Sequence, residues 1–277
     1  MKFLTFADGA TPRPGLLEGD SIVDLSGVVP SIRAMIEQGA GGLAKAKAAA
    51  ASAPRRPAKG ARLLAPVSPG KVLCSGINYK SHAEENPNAV MPKEPFFFAK
   101  LPNAIAGHED KIAKPARSSQ TDYEVEFAVV IGRRLSHAPE SAVMEAIFGY
   151  TLLNDVSARD VQFKDNQITL GKNFDGFAPI GPVIAAPEEL PDVNKVGLRS
   201  ILNGKLMQNG STADWLFPLP RLISYLSETI TLEPGDVVTT GTPAGVGAFQ
   251  KPPVWMKPGD VIEIEADGIG TLRNHIV

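Results

Sequence analysis

Thr121-Asp-Tyr-Glu-Val-Glu-Phe-Ala-Val-Val-Ile-Gly132 is the stretch on which the fold turns. It is rich in β-branched and aromatic residues, and in a strand side chains two apart leave the same face. Glu124 and Glu126 therefore share one face, while Val125, Phe127 and Val129 fill the other. Two like charges beside an apolar run are costly unless a positive centre or raised pKa values compensate them, and a hard divalent cation is the usual compensation. A third carboxylate, Asp155, closes the next apolar run, Tyr150-Thr-Leu-Leu-Asn-Asp155. Glu124, Glu126 and Asp155 are the expected ligands of Mg²⁺ or Mn²⁺, with positions left for water and substrate. Spacing alone favours a plainer reading, a solvated Glu-x-Glu face paired with Lys or Arg. The motifs that follow shift the balance.

The 277 residues are 43% hydrophobic and 21% charged, with 28 Lys+Arg against 30 Asp+Glu, a balance that suits a soluble protein with a sizeable core. A net charge of −2 gives no electrostatic footprint for nucleic acid or an anionic membrane. One cysteine, Cys74, excludes an internal disulfide and a Cys-rich zinc site, and its default role is that of a small buried hydrophobe. Between Met1 and Gly15, Asp8, Arg13 and two prolines interrupt any apolar run, so a cytoplasmic location is expected.

Met1 to about Leu64 reads as a small separate unit, and 65–277 as the larger one. Lys2–Phe6, Pro14–Leu17 and Ser21–Leu25, separated by Asp8-Gly9 and Glu18-Gly-Asp20, form a strand meander with tight turns. Ser31 caps a helix through Glu37, and the Ala/Gly/Lys-rich stretch from Ala40 to Arg62 reads as a helix running into a solvated linker. His82 and Glu85 are three apart, so one helical turn lets the carboxylate hold one imidazole nitrogen while the other faces water. A surface pair is the commoner outcome of that spacing. The polar run from Glu84 to Pro92 suits a mobile lid. Lys100 ends the apolar run that begins at Glu94; it is either a substrate contact or a snorkelling side chain. His108-Glu-Asp110 reads as a turn.

A helix starting at Asp155 would set Asp155, Arg159 and Gln162 on one face, an arrangement suited to an oxo-acid or to a structural Asp–Arg pair. Asn203-Gly204 predicts a type I′ hairpin, and Ser211 to Asp214 a cap for a helix through Leu226 with Leu222, Ile223 and Leu226 in the core. Thr240-Gly-Thr-Pro-Ala-Gly-Val-Gly247 lacks the Gly-Lys-Ser/Thr ending of a P-loop. Its backbone N–H groups and Thr242 are expected to hold a small carboxylate, or simply to turn the chain. Pro-Gly-Asp occurs at 234 and at 258, the same turn chemistry used twice.

Taken together, Gly76-Ile-Asn-Tyr-Lys-Ser-His82, Asp122-Tyr-Glu-Val-Glu126, Asn154-Asp-Val-Ser-Ala-Arg-Asp160, Gly171-Lys-Asn-Phe-Asp175 and Thr240-Gly-Thr-Pro243 resemble the fumarylacetoacetate hydrolase superfamily from about Val67 onward. The resemblance implies an α+β, predominantly β fold, a mixed β-sandwich roll with a small N-terminal domain, usually a homodimer. It implies Mg²⁺ or Mn²⁺ at Glu124, Glu126 and Asp155, a His82–Glu85 dyad on a lid, and substrate contacts from Arg159, Gln162, Lys172 and Thr242. Lys71 to Lys80 contains no carboxylate, unlike the large animal hydrolases, so the chain looks more like the smaller acylpyruvase and oxaloacetate decarboxylase branch. The activity so implied is C–C cleavage of an acylpyruvate-type 2,4-dioxo acid, with His82 activating water and the metal and Lys172 holding the enolate. Decarboxylation, isomerisation of a 2-hydroxyhepta-2,4-diene-1,7-dioate and hydration would use the same site, and metal-dependent binding of a small acid without turnover is the alternative of another class.

Overall fold

Residues 1–86 and 90–277 are described by a computed structural model. The acidic stretch forms a strand at Val125–Ile131 in which every residue is buried. A strand covered on both faces belongs in the middle of a sheet. It pairs antiparallel with Ile147–Asn154, Val125 opposite Asn154 and Val129 opposite Tyr150, and on its other side with Val237–Thr239. Val237–Thr239 runs parallel to Val72–Ser75, which pairs antiparallel with Phe97–Lys100. These registers bring Glu124 and Glu126, Asp155, Thr240 to Thr242, Ser75 and Phe97 to one edge of the sheet, and the site is built there. Behind it, the Phe127 ring stacks on Tyr150 at 5.3 Å and leans on Trp215 at 6.1 Å.

The N-terminal meander forms as its turns require: Lys2–Asp8, Thr11–Glu18 and Ser21–Asp24 are successive antiparallel strands. Its first strand is hydrogen-bonded to Ala178–Ala185, so it extends the same sheet, and Phe3 meets Phe148 at 5.3 Å. Ser31 Oγ accepts the Ala34 N–H at 3.0 Å, and Ile32, Met35 and Ile36 of the helix it caps are buried. Gly39–Ala50 is helical. The linker expected beyond it is partly a strand: Arg55–Pro57 pairs with Ser21–Asp24, and the Arg56 guanidinium lies 5.0 Å from the Phe6 ring. Three residues are too few to show a period, and it is tertiary pairing that makes this strand.

A second sheet is ordered Lys205–Ser211, Gly197–Leu202, Val261–Ala266, Gly270–Ile276 and Lys111–Ile112, and it packs on the first. Asn203 (φ 51°) and Gly204 (φ 79°) make the expected type I′ turn. Both Pro-Gly-Asp turns close identically, Asp236 accepting the Glu233 N–H and Asp260 the Lys257 N–H, each at 2.8 Å. The helix expected from Ser211 onward does not form there. Ser211 caps a single 3₁₀ turn, Thr212–Asp214, and the α-helix spans Leu219–Ser227. A helix continuous from Thr212 would hold Pro218 and Pro220 in its interior, where each lacks a needed N–H. Leu222, Ile223 and Leu226 are buried, as the stripe demands.

Candidate active site

Glu124, Glu126 and Asp155 are buried, and each offers an oxygen within 4.8 Å of the others. The two backbone segments that carry them are clamped: the Asp155 N–H donates to Glu124 O at 3.0 Å, and the Glu124 N–H to Asn154 Oδ1 at 3.1 Å. Three cations surround the acids. Lys172 Nζ lies 2.8 Å from Glu124 Oε2 and 2.6 Å from Asp155 Oδ2; Lys100 Nζ is 2.6 Å from Asp155 Oδ1; Arg159 Nη2 is 2.5 Å from Glu124 Oε1 and 2.9 Å from Asp122 Oδ2. Against the opposing effect of burial, Arg159 and Lys172 hold the Glu124 carboxyl well below the usual range. Glu126 is the exception. Among the described residues its Oε2 has no hydrogen-bond partner, and burial, reinforced by the Asp155 and Glu124 charges, pushes its carboxyl well above the ordinary range.

That imbalance tests the fit to a metal. Among the described residues, Asp122, Glu124, Glu126 and Asp155 are ion-paired with Lys100, Arg159 and Lys172, so with His82 neutral full ionisation leaves the cluster one negative charge in excess in a buried, low-dielectric place. A divalent cation reverses the excess, gives the orphaned Glu126 oxygen a partner, and meets the all-oxygen donor set that hard cations take. The residues fit a divalent ion held by Glu124, Glu126 and Asp155.

Lys172 and Arg159 reach this centre, as do Gln162 and Thr242, but by contacts other than those expected. The chain is extended after Asp155, and the helix begins only at Arg159 (Arg159–Gln162), so Arg159 does not pair with Asp155. It spans Asp122 and Glu124 instead and donates through Nη1 to Gln162 Oε1 at 3.0 Å. Lys100 is neither a substrate contact nor a snorkelling residue. Its fully buried ammonium donates to the carbonyls of Val156, Lys172 and Phe177 and pairs with Asp155 from behind. Thr242 Oγ1 donates to Val125 O at 2.9 Å and accepts from Gln208 Nε2 at 2.7 Å, so its hydroxyl proton is committed to the protein.

His82 and Glu85 lie on the helix Lys80–Glu85, with His82 Nδ1 2.6 Å from Glu85 Oε1. Glu85 Oε2 accepts the Gly245 N–H at 2.7 Å, and Asp214 accepts the Ser81 N–H in the first turn of the helix. The glycine-rich loop does hold carboxylates, but they are the protein's own: Gly245 serves Glu85, while Gly247 and Ala248 donate to Asp122 at 2.7 and 3.0 Å. Gly245, at φ +109°, could not be replaced, since a Cβ there would lie 2.3 Å from Met207 O. Residues 87–89 of the lid expected over Glu84 to Pro92 lie outside the described residues. His82, Arg159, Gln162 and Lys172 join Glu124 and Glu126 around a cavity of ≈170 Å³ whose other wall is Phe96, Phe98 and Phe163.

Two residues of the site were not anticipated. Asp122 accepts from the Tyr123, Gly247 and Ala248 N–H groups and from Arg159 Nε, and so ties the acidic strand to the loop. Its position in the acidic stretch was the available signal. Gln208, on the hairpin of the second sheet, accepts the Val125 N–H at 3.0 Å and donates to Thr242 Oγ1 and Pro243 O. It braces Val125, the residue between Glu124 and Glu126, and only sheet packing reveals it. Gln208→Leu leaves these buried groups unpaired and should lower unfolding stability by about 2–4 kcal/mol, seen as a lower urea midpoint at unchanged slope. An unaltered midpoint would remove Gln208 from this role.

Comparison with known proteins agrees with the geometry. The fumarylacetoacetate hydrolase C-terminal family matches residues 71–277. The chain is similar to the mitochondrial oxaloacetate tautomerase fahd2 of Xenopus laevis, 41% identical over 281 residues, covering 98% of this chain and 88% of that one. Among solved structures it is similar to a fumarylacetoacetate hydrolase from psychrophilic Exiguobacterium antarcticum (38% identity, TM-score 0.90, covering 100% of this chain and 99% of that one). It is also similar to maleylpyruvate hydrolase from Sphingobium sp. SYK-6 in complex with manganese(II) and pyruvate (27% identity, TM-score 0.85, the same coverage). With a buried acidic triad, a His–Glu dyad and a family match over residues 71–277, the chain belongs to the fumarylacetoacetate hydrolase family of enzymes.

Proposed function

We propose that the protein interconverts the keto and enol forms of a small 2-oxo dicarboxylic acid of the oxaloacetate type. One observation carries this reading: His82, Glu124, Glu126 and Lys172 line one cavity of ≈170 Å³, smaller than the roughly 300–1,000 Å³ of a drug-sized site, with Glu85 bonded to His82 and Asp155 to Lys172. That space suits a short acid, and the dyad provides the single base that enolisation needs. A relative at 41% identity bears the name of that activity. When bound at Glu124, Glu126 and Asp155, Mg²⁺ or Mn²⁺ polarises the 2-oxo group and makes the adjacent C–H more acidic. Glu85 accepts from Nδ1–H and so leaves the Nε2 lone pair of His82 free to take the C3 proton. Lys172 presents an ammonium to the oxygen on which negative charge collects, and return of the proton to that oxygen completes the enol.

A second reading, hydrolysis of an acylpyruvate, is favoured by the likeness to maleylpyruvate hydrolase; there His82 would take its proton from water. The two readings separate in one experiment with Mg²⁺ or Mn²⁺ present. Tautomerisation predicts that the enzyme speeds the approach of oxaloacetate to its keto–enol equilibrium, followed by ultraviolet absorbance, and releases no pyruvate from acetylpyruvate. Pyruvate release without faster equilibration would overturn it in favour of hydrolysis.

A further inference from the structure

Ser75 ends the strand Val72–Ser75 and lies on the wall of the site cavity. It is 2% exposed, and among the described residues its hydroxyl has no hydrogen-bond partner. Buried hydroxyls are rarely left so, because their lost hydration goes uncompensated; such a group on a cavity wall is normally completed by what enters the cavity. Gly76 follows. A Cβ on it would sit 1.8 Å from Cζ of Phe96, so the ring lies directly against the backbone and roofs this end of the cavity. Phe96 is 42% exposed, and its carbonyl accepts the Gly76 N–H at 3.0 Å.

Sheet order supplies the spacing. From the acidic strand to Val237–Thr239 and on to Val72–Ser75 is two inter-strand steps, about 9–10 Å. An acid held at the carboxylates by its oxo-acid end covers that distance with a four-carbon chain and one hydrogen bond at its far end. The cations of the cavity, Arg159 and Lys172, belong to the opposite end, beside Glu124. We infer that Ser75 Oγ donates to the oxygen at the far end of the substrate, and that the Phe96 ring seated on Gly76 limits the length of acid accepted. This rests on the proposed 2-oxo acid reading and deepens it. A hydroxyl both donates and accepts, so it serves a carboxylate or a carbonyl oxygen alike.

The test is calorimetric binding to the metal-loaded protein, which needs no turnover, using oxaloacetate, with a far carboxylate, acetylpyruvate, with a far carbonyl, and pyruvate, with neither. Ser75→Ala should weaken whichever of the first two carries the preferred far oxygen by about tenfold, leave pyruvate within about twofold, and leave the melting midpoint of the metal-free protein unchanged. Phe96→Ala should raise the affinity for 2-oxoglutarate, one carbon longer, relative to oxaloacetate by about fivefold or more. Equal losses for all three acids, no loss for any, or a lowered midpoint would overturn the Ser75 assignment. An unchanged length ratio would overturn that of Phe96. If the wild type binds these acids but does not tautomerise oxaloacetate, the proposed activity falls while the Ser75 comparison still decides this inference.

Discussion

Glu126→Gln is expected to abolish the response of the protein to divalent ions while leaving its metal-free fold at least as stable as the wild type. Glu126 is the carboxylate of the cluster that no cation answers, and its folded pKa is raised by burial and by Asp155 and Glu124. A carboxyl whose folded pKa lies above its unfolded value binds more protons in the native state. Its contribution to stability therefore falls as pH rises from the ordinary carboxylate value through the folded one. At neutral pH the metal-free wild type bears that cost, and the amide, of nearly the same shape, does not. The ion reverses the order. At about 100 times its dissociation constant it should stabilise the wild type by about 2.7 kcal/mol, roughly 5–10 °C in melting temperature for a chain of this size. The variant should show almost none of this, and its turnover should fall on the order of 10³-fold. A Glu126→Gln protein that kept the full Mn²⁺-induced shift would mean that the ion is held elsewhere.

What could be read in the sequence, and what could not, divides by the range of the interaction. Glu126 lies in the strand Val125–Ile131 and Glu124 just before it, two residues apart and converging as the spacing suggests, and His82 meets Glu85 because a helical turn spans three residues. The type I′ turn at Asn203-Gly204 is equally local. The pairing of cations with acids is not. Arg159 was matched to Asp155 by supposing that the helix began four residues too early, whereas sheet register hands it to Glu124 and Asp122. Lys100 was weighed between pocket and solvent, yet it lies behind Asp155 because its strand is laid beside Val72–Ser75. The loop after Thr240 was read as a ligand cradle from its glycines. Its N–H groups do bind carboxylates, but those of Glu85 and Asp122, more than a hundred residues earlier. Gln208 has no local signature, since its partners arrive only when the two sheets pack.

Loss of the base should leave a different fingerprint from loss of the metal ligand. His82→Ala is expected to keep the ion-induced melting shift nearly in full, because its hydrogen bond is to Glu85 and not to any of the three carboxylates, and to lose about 10² to 10⁴ in kcat, the range that a positioned general base supplies. Glu85→Gln gives the intermediate case. The Glu85 carboxylate accepts on both oxygens, from His82 on one side and from the Gly245 N–H on the other. An amide has a single acceptor oxygen; if that oxygen keeps the Gly245 N–H, the NH₂ faces His82 Nδ1, where it can only donate, and the imidazole turns to the tautomer that carries its proton on Nε2. In that tautomer Nε2 has no lone pair for the substrate proton; if the oxygen instead turns to His82, the helix Lys80–Glu85 loses its tie to the loop. Either way kcat should fall, by no more than in His82→Ala, since the imidazole remains and can still visit the tautomer with a free Nε2. Melting curves with and without Mn²⁺, set beside kcat for the three proteins, decide the matter. A His82→Ala enzyme with normal turnover would remove the dyad from the chemistry, and one without the Mn²⁺ shift would mean that the substitution had damaged the metal site instead.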